Sequence, residues 1–197
     1  AERGRLIRRA YFDLIGLPPA PVEVDNFVKD NDPLAYENLI ERLLESPQYG
    51  ERWGRYWLDL AGYADSDGVN ADDPIRPYAY RYRDYVIQSL NDDKPYNEFL
   101  LEQIAGDELA DYDRTPVIDD KTYENLVATG FLRMAPDGTY NGLTNFVPDR
   151  LDVISSEIEI LTSSVMGLTV KCARCHAHKF DPIPHRDYYR LAAIFKG

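Results

Sequence analysis

The sequence predicts an all-α fold, an irregular helical domain with its chemistry near the C-terminal end. Apolar residues recur at three- and four-residue steps along most of the chain, and proline with small polar residues marks several helix starts. No internal repeat, heptad array or low-complexity tract interrupts the pattern. With 197 residues, 44% of them apolar and 28% charged, the chain has the length and balance of a folded protein with a real core.

The first helix is expected over residues 5–15, with Leu6, Ala10 and Leu14 on one face, stopped by Gly16-Leu17-Pro18-Pro19. Pro21 opens a short helix through Phe27. Asp32-Pro33 gives the next start, an N-cap followed by proline at the first helical position. Tyr36, Leu39, Ile40, Leu43 and Leu44 form its apolar stripe. Ser46-Pro47 repeats the signal, and Trp53, Tyr56, Trp57, Leu60 and Ala64 make the stripe that follows. Residues 65–77 are turn chemistry throughout. Helices resume at about 78–91, 95–105 and 121–133. Residues 136–147, rich in Gly and Asn, read as irregular. From Pro148 a long helix carries Leu151, Ile154, Ile158, Leu161 and Val165, and a last one covers 187–195.

The formal charge of −12 argues against a nucleic-acid backbone or an anionic membrane surface as partner, because like charges repel. No apolar run approaches the ~20 residues that span a bilayer. The chain opens at Ala1-Glu2-Arg3-Gly4 without Met. We therefore expect residues 1–197 to be one helical domain, a processed piece or excised part of a larger multidomain protein.

The most informative feature is Cys172-Ala173-Arg174-Cys175-His176, which holds both cysteines of the chain. Covalent c-type haem needs two thiols to add to two vinyl groups and an imidazole for one axial iron position, and Cys-x-x-Cys-His supplies all three within five residues. On this reading Cys172 and Cys175 form thioethers and His176 is the proximal ligand. Lys171, Arg174 and Lys179 would compensate haem propionates, and His178 is a further hydrogen-bond donor or a surface residue. Leu168, Val170, Phe180, Ile183 and Leu191 could wall an apolar pocket. Two other readings stand beside haem. A zinc site could use Cys172, Cys175, His178 and either Asp181 or His185. A disulfide or free thiols would need no His176.

The sixth haem ligand separates electron transfer from catalysis. Met166, Met134 and His185 are the candidates, with His178 too near His176 in sequence to reach the opposite face. Asp65, Asp67, Asn70, Asp72 and Asp73 crowd oxygen donors around Gly68, which suits calcium, although the order does not match an EF-hand loop. A self-capping turn explains the same residues. The 15 tyrosines fall mostly at helical spacing, where core packing explains them.

Several stretches are similar to a known family: residues 9–19, ending Gly16-Leu17-Pro18-Pro19; 46–53, with Ser46-Pro47 and Glu51-Arg52-Trp53; 63–68, with Asp65-Ser66-Asp67-Gly68; 80–87; 103–107; and 167–183, with the Cys172–His176 motif followed by His178-Lys179-Phe180-Asp181-Pro182-Ile183. On these the chain resembles the planctomycete cytochrome-associated PSCyt domains of unknown function, found after a cytochrome c module in large secreted proteins. The resemblance implies an extracytoplasmic, haem-associated role without a settled reaction. Ala177 stands where the family often has Asp, and residues 138–150 depart from its usual Gly- and acid-rich stretch.

The expectation is thus a haem c domain passing electrons to or from a neighbouring domain of the same polypeptide or a redox partner protein. The alternatives are a haem-dependent redox enzyme with an open distal face, acting on carbohydrate given the family's setting, and a non-haem module with zinc or a disulfide.

Overall fold

Regular structure among the described residues is helical, apart from a single antiparallel bridge between Ser66 and Ile75. The computed structural model describes residues 2–68, 73–110, 117–140 and 147–196. By packing, the chain divides into two compact units, Ala1–Trp57 with Asp84–Phe99 and Leu58–Arg83 with Leu100–Gly197.

In the first unit, α1 (Arg3–Leu14), α2 (Pro21–Lys29) and α3 (Ala35–Leu44) enclose a core of Ile7, Ala10, Tyr11, Ile15, Phe27, Leu39 and Leu43. The expected face of α1 is the buried one: Ala10 lies in that core, Leu6 and Leu14 pack against it, and Ile7 lies deepest. Helix α1 stops where foreseen, at Gly16, whose φ of 74° suits a residue without Cβ. Pro21 occupies the first turn of α2, and the Glu23 carboxylate reaches back to accept the Ala20 N–H at 2.8 Å. Asp32 caps a turn rather than the helix itself, accepting from Leu34 N–H at 2.9 Å just before α3 begins.

Helix α4 (Pro47–Ala61) corrects the sequence reading of its buried face. Trp53, Tyr56 and Leu60 of the expected stripe are exposed, whereas Gly54, Leu58 and Ala61 are buried. The reason is close approach. A Cβ on Gly54 would stand 3.3 Å from the Ile87 side chain, and one on Gly50 only 2.4 Å from the Ile87 carbonyl oxygen. Small residues admit the neighbouring backbone of α5 (Ala79–Asn91), and the large aromatics turn to the rim.

Helix α6 (Tyr96–Ala110) enters the second unit at Leu100 and bends there at Ala105, where φ is −140°. The next residue, Gly106, lies so near α7 (Asp120–Ala128) that a Cβ would fall 2.1 Å from the Asn125 carbonyl oxygen. Asp119 caps α7 by accepting from Thr122 N–H at 2.8 Å. The helix expected over 121–133 becomes α7 followed by a 3-10 turn, Thr129–Arg133. The irregular stretch holds one more 3-10 turn, Gly138–Tyr140. The long helix α8 (Val147–Met166) and the last helix α9 (His185–Phe195) then pack on each other and on a 3-10 turn, Val170–Arg174. That turn carries the cysteine motif. No described helix is long and apolar enough to cross a membrane.

Candidate functional site at the cysteine motif

Gly167 ends α8 with a φ of 65°, turning the chain so that Leu168 N–H bonds back to Thr162 O at 3.1 Å. The motif then enters 3-10 geometry, in which residues three apart eclipse. Val170 and Ala173 point inward, onto Ile158 of α8 and Tyr188 of α9. Cys172 and Cys175 fall on the opposite phase, and both thiols are exposed and uncrosslinked. Burial of the intervening Ala173 thus presents the two sulfurs to solvent.

His176 is exposed, and its Nδ1 lies 2.7 Å from the Ala177 carbonyl oxygen. A carbonyl can only accept, so Nδ1 carries the proton and the neutral ring keeps its lone pair on Nε2. This is the tautomer of a histidine whose other nitrogen ligates a metal.

His178 is a loop anchor. Its side chain is only 5% exposed. Nδ1 accepts from the N–H groups of Asp181 at 2.8 Å and Phe180 at 3.3 Å, so Nε2–H donates to the Thr169 hydroxyl at 2.8 Å. The backbone closes the same loop, His178 N–H donating to Ile183 O at 2.9 Å. Both ring nitrogens of His178 are thereby used in shaping the segment after the motif.

His185 is likewise tied to the motif, its Nε2 donating to Arg174 O at 2.7 Å while the Tyr189 hydroxyl donates to the same oxygen at 3.2 Å. The His185 and Tyr189 rings meet edge to face with centroids 4.9 Å apart. Met166 is exposed at the end of α8, and Met134 is buried in the second unit.

The basic residues differ in availability. Lys171 pairs with Glu159, and Arg174 with Asp152 at 2.7 Å, both acids lying on α8. The bond that Arg174 donates to Asp152 holds its guanidinium further toward the charged form. Lys179 lies over the Phe180 ring at 5.1 Å. Both ion pairs are partly exposed, a setting in which such pairs contribute about 0–1 kcal/mol and exchange partners readily. The apolar residues expected to wall a pocket divide too. Val170 lies in the core, Leu168, Ile183 and Leu191 pack against it, and Phe180 is exposed. A hollow of about 400 Å³ nearby is walled by Leu151, Ile154, Tyr188, Tyr189 and Ala192, with Arg174 at its edge.

Among the described residues, no three of His, Cys, Asp and Glu converge in a way that would hold a bare metal ion. This covers the Cys172, Cys175, His178 and Asp181 or His185 set considered for zinc. Of the residues considered for calcium, Asn70 and Asp72 lie outside the described residues. Asp65 accepts from the Tyr63 hydroxyl at 2.7 Å, and Asp73 from Gly68 N–H at 2.9 Å. Asp67 is ion-paired to Arg76 at 2.6 Å.

Sequence reasoning missed Glu157 and its surroundings. This carboxyl on α8 is only 7% exposed. It lines a second hollow, of about 340 Å³, with Arg133, Thr139, Arg150 and Lys196. Burial raises its pKa, the nearby Arg133 partly offsets the rise, and Asp137 adds to it. Asp137 moves the other way: partial burial opposes its ionisation, but hydrogen bonds from Thr139 and the Arg133 charge outweigh that. The available signal was position, since Glu157 stands three residues after Ile154 and beside Ile158 on the apolar stripe of α8.

The PSCyt2 family model, described as protein of unknown function (DUF1549), matches residues 1–197. No curated protein and no solved structure matches the chain.

Proposed function

Because the chain belongs to the PSCyt2 family along its whole length, we propose that its second unit is a c-type haem-binding module acting in extracytoplasmic electron transfer within a larger protein. The observation that carries this reading is the pairing of two exposed, uncrosslinked thiols with a His176 ring whose Nδ1–H is spent on Ala177 O. These donors fit haem c. Cys172 and Cys175 would hold it as thioethers, each S–H adding across a vinyl double bond with no leaving group and no net oxidation, and His176 Nε2 would ligate its iron. Bound iron would supply one-electron redox chemistry. The rest is the protein's work: α8 and α9 brace the turn through Ile158 and Tyr188, His185 and Tyr189 hold the Arg174 carbonyl, and His178 shapes the loop beyond. Lys171, Arg174 and Lys179 are the cations that would compensate propionates, the first two by exchanging a carboxylate of α8 for one of haem.

The test is maturation in a host with a c-type haem assembly system and export of the chain to its periplasm. The expected product is coloured and keeps a haem-shifted mass after denaturation, and Cys172→Ser with Cys175→Ser loses that mass. A colourless wild-type protein under these conditions refutes the reading.

A second reading, a haem-dependent redox enzyme with an open distal position, is favoured by the use of both His178 nitrogens and of His185 Nε2 within the motif's own loop. Carbon monoxide should then bind the reduced protein rapidly, and equally in Met166→Ala. A low-spin spectrum that turns high-spin only in Met166→Ala would instead name Met166 as the ligand and leave electron transfer alone.

A further inference from the structure

The hollow beside Glu157 is lined by no residue of the cysteine motif, although Ile154 and Phe195 in its wall pack against the core beneath that motif, and it has its own chemistry. Its charged rim comes from three elements: Arg133 from the 3-10 turn after α7, Arg150 from the first turns of α8, and Lys196 from the end of α9. Three cations converge on one concavity in a chain of formal charge −12. Arg133 is partly spent on Asp137, whereas Arg150 and Lys196 have no ion-pair partner among the described residues. The Glu157 carboxyl lines it and is buried. Thr139 offers a hydroxyl on the side of the Gly138–Tyr140 turn. Val153, Ile154 and Phe195 give the remaining wall a hydrocarbon character that an inorganic anion would not use.

We propose that this hollow binds a small organic acid, with its carboxylate held by Arg150 and Lys196, its carbon skeleton against Val153, Ile154 and Phe195, and one of its oxygens accepting from the Glu157 carboxyl. The volume, about 340 Å³, lies within the range of small-molecule sites. A buried carboxyl is tolerable there because it can remain protonated and donate, which makes it a specificity element. An incoming anion strengthens that preference, so binding takes up a proton at Glu157 and tightens as pH falls toward the ordinary glutamate range. The charged groups facing Glu157 are Arg133 and Asp137 before α8, Arg150 on α8 and Lys196 on α9. None of them depends on haem, so the site survives failure of the haem reading.

Benzoate is a suitable probe, with benzamide as its uncharged analogue and inorganic sulfate as a plain anion, titrated calorimetrically into the full chain between pH 5 and 8. Benzoate should bind at least about tenfold more tightly than benzamide or sulfate. Arg150→Ala removes an exposed side chain and should weaken benzoate roughly tenfold to a hundredfold, the loss of one charge-assisted hydrogen bond. Glu157→Gln keeps a donor of the same shape, so benzoate should still bind while the pH dependence disappears. Cys172→Ser with Cys175→Ser should leave all of this unchanged. The proposal is overturned if benzoate does not bind, if sulfate or benzamide binds as well, or if Arg150→Ala has no effect.

Discussion

Replacing Arg76 with Met should destabilise the second unit far more than loss of one surface ion pair would. The Arg76 guanidinium donates through Nε to Asp67 at 2.6 Å, through Nη1 to Met134 O at 2.8 Å and through Nη2 to Ala135 O at 2.6 Å. Arg76 and Asp67 are each only 13% exposed. Arg76→Met keeps most of the apolar stem but leaves one carboxylate and two carbonyls without their donor. Breaking a buried pair by removing one partner costs about 3–5 kcal/mol. The carbonyls add less than their nominal hydrogen-bond energies, because water can enter the vacated space and hydrate them. We therefore expect a loss of about 3–5 kcal/mol, read from urea unfolding followed by far-UV circular dichroism. Asp67→Asn in the same chain should recover part of it, a coupling of about 0.5–3 kcal/mol in a double-mutant cycle. A loss under about 1 kcal/mol, the range of exposed pairs, would refute the reasoning, as would strict additivity of the two substitutions. Benzoate binding provides a second readout, since Arg76 anchors the carbonyls of Met134 and Ala135, and Ala135 is two residues before Asp137 and four before Thr139.

Three further outcomes follow from packing and charge. Ile158→Ala opens a void beneath the motif, where Ile158 meets Val170, Ala173 and Tyr188, and should cost about 2–5 kcal/mol in urea unfolding and lower haem incorporation. Gly106→Ala drives a Cβ to 2.1 Å from a backbone oxygen of α7 and should cost more than the ~1–3 kcal/mol of ordinary overpacking, whereas Gly4→Ala, with open space around it, should be neutral or slightly stabilising. Glu157 has a folded pKa above its unfolded value, so the stabilisation it contributes is complete below the ordinary glutamate range and lost as pH rises through the folded value. Glu157→Gln should accordingly flatten that decline and raise the melting temperature at neutral pH, and an unchanged pH profile would contradict it.

The sequence by itself determined the helical class and most element positions, and it places two thiols and an imidazole within five residues. These are local properties: proline and Asp or Ser at helix starts, glycine at helix ends, and the spacing Cys172, Cys175, His176 need no knowledge of distant residues. Tertiary structure alone decided which faces are buried, which charges are spent and where concavities form. The α4 stripe of Trp53, Tyr56 and Leu60 satisfies helical periodicity yet stands outside, because Gly50 and Gly54 admit Ile87 of α5, more than 30 residues later in the chain. Asp67 reads as a metal ligand beside its sequence neighbours, but Arg76, which also donates to the carbonyls of Met134 and Ala135, claims it for a structural clasp. Glu157 looks like one acid among 34, and only the convergence of Arg133, Arg150 and Lys196 from three separated segments makes its carboxyl distinctive. Periodicity and spacing are written along the chain. Desolvation and charge pairing depend on what folding brings alongside, and one chain read in order does not contain that.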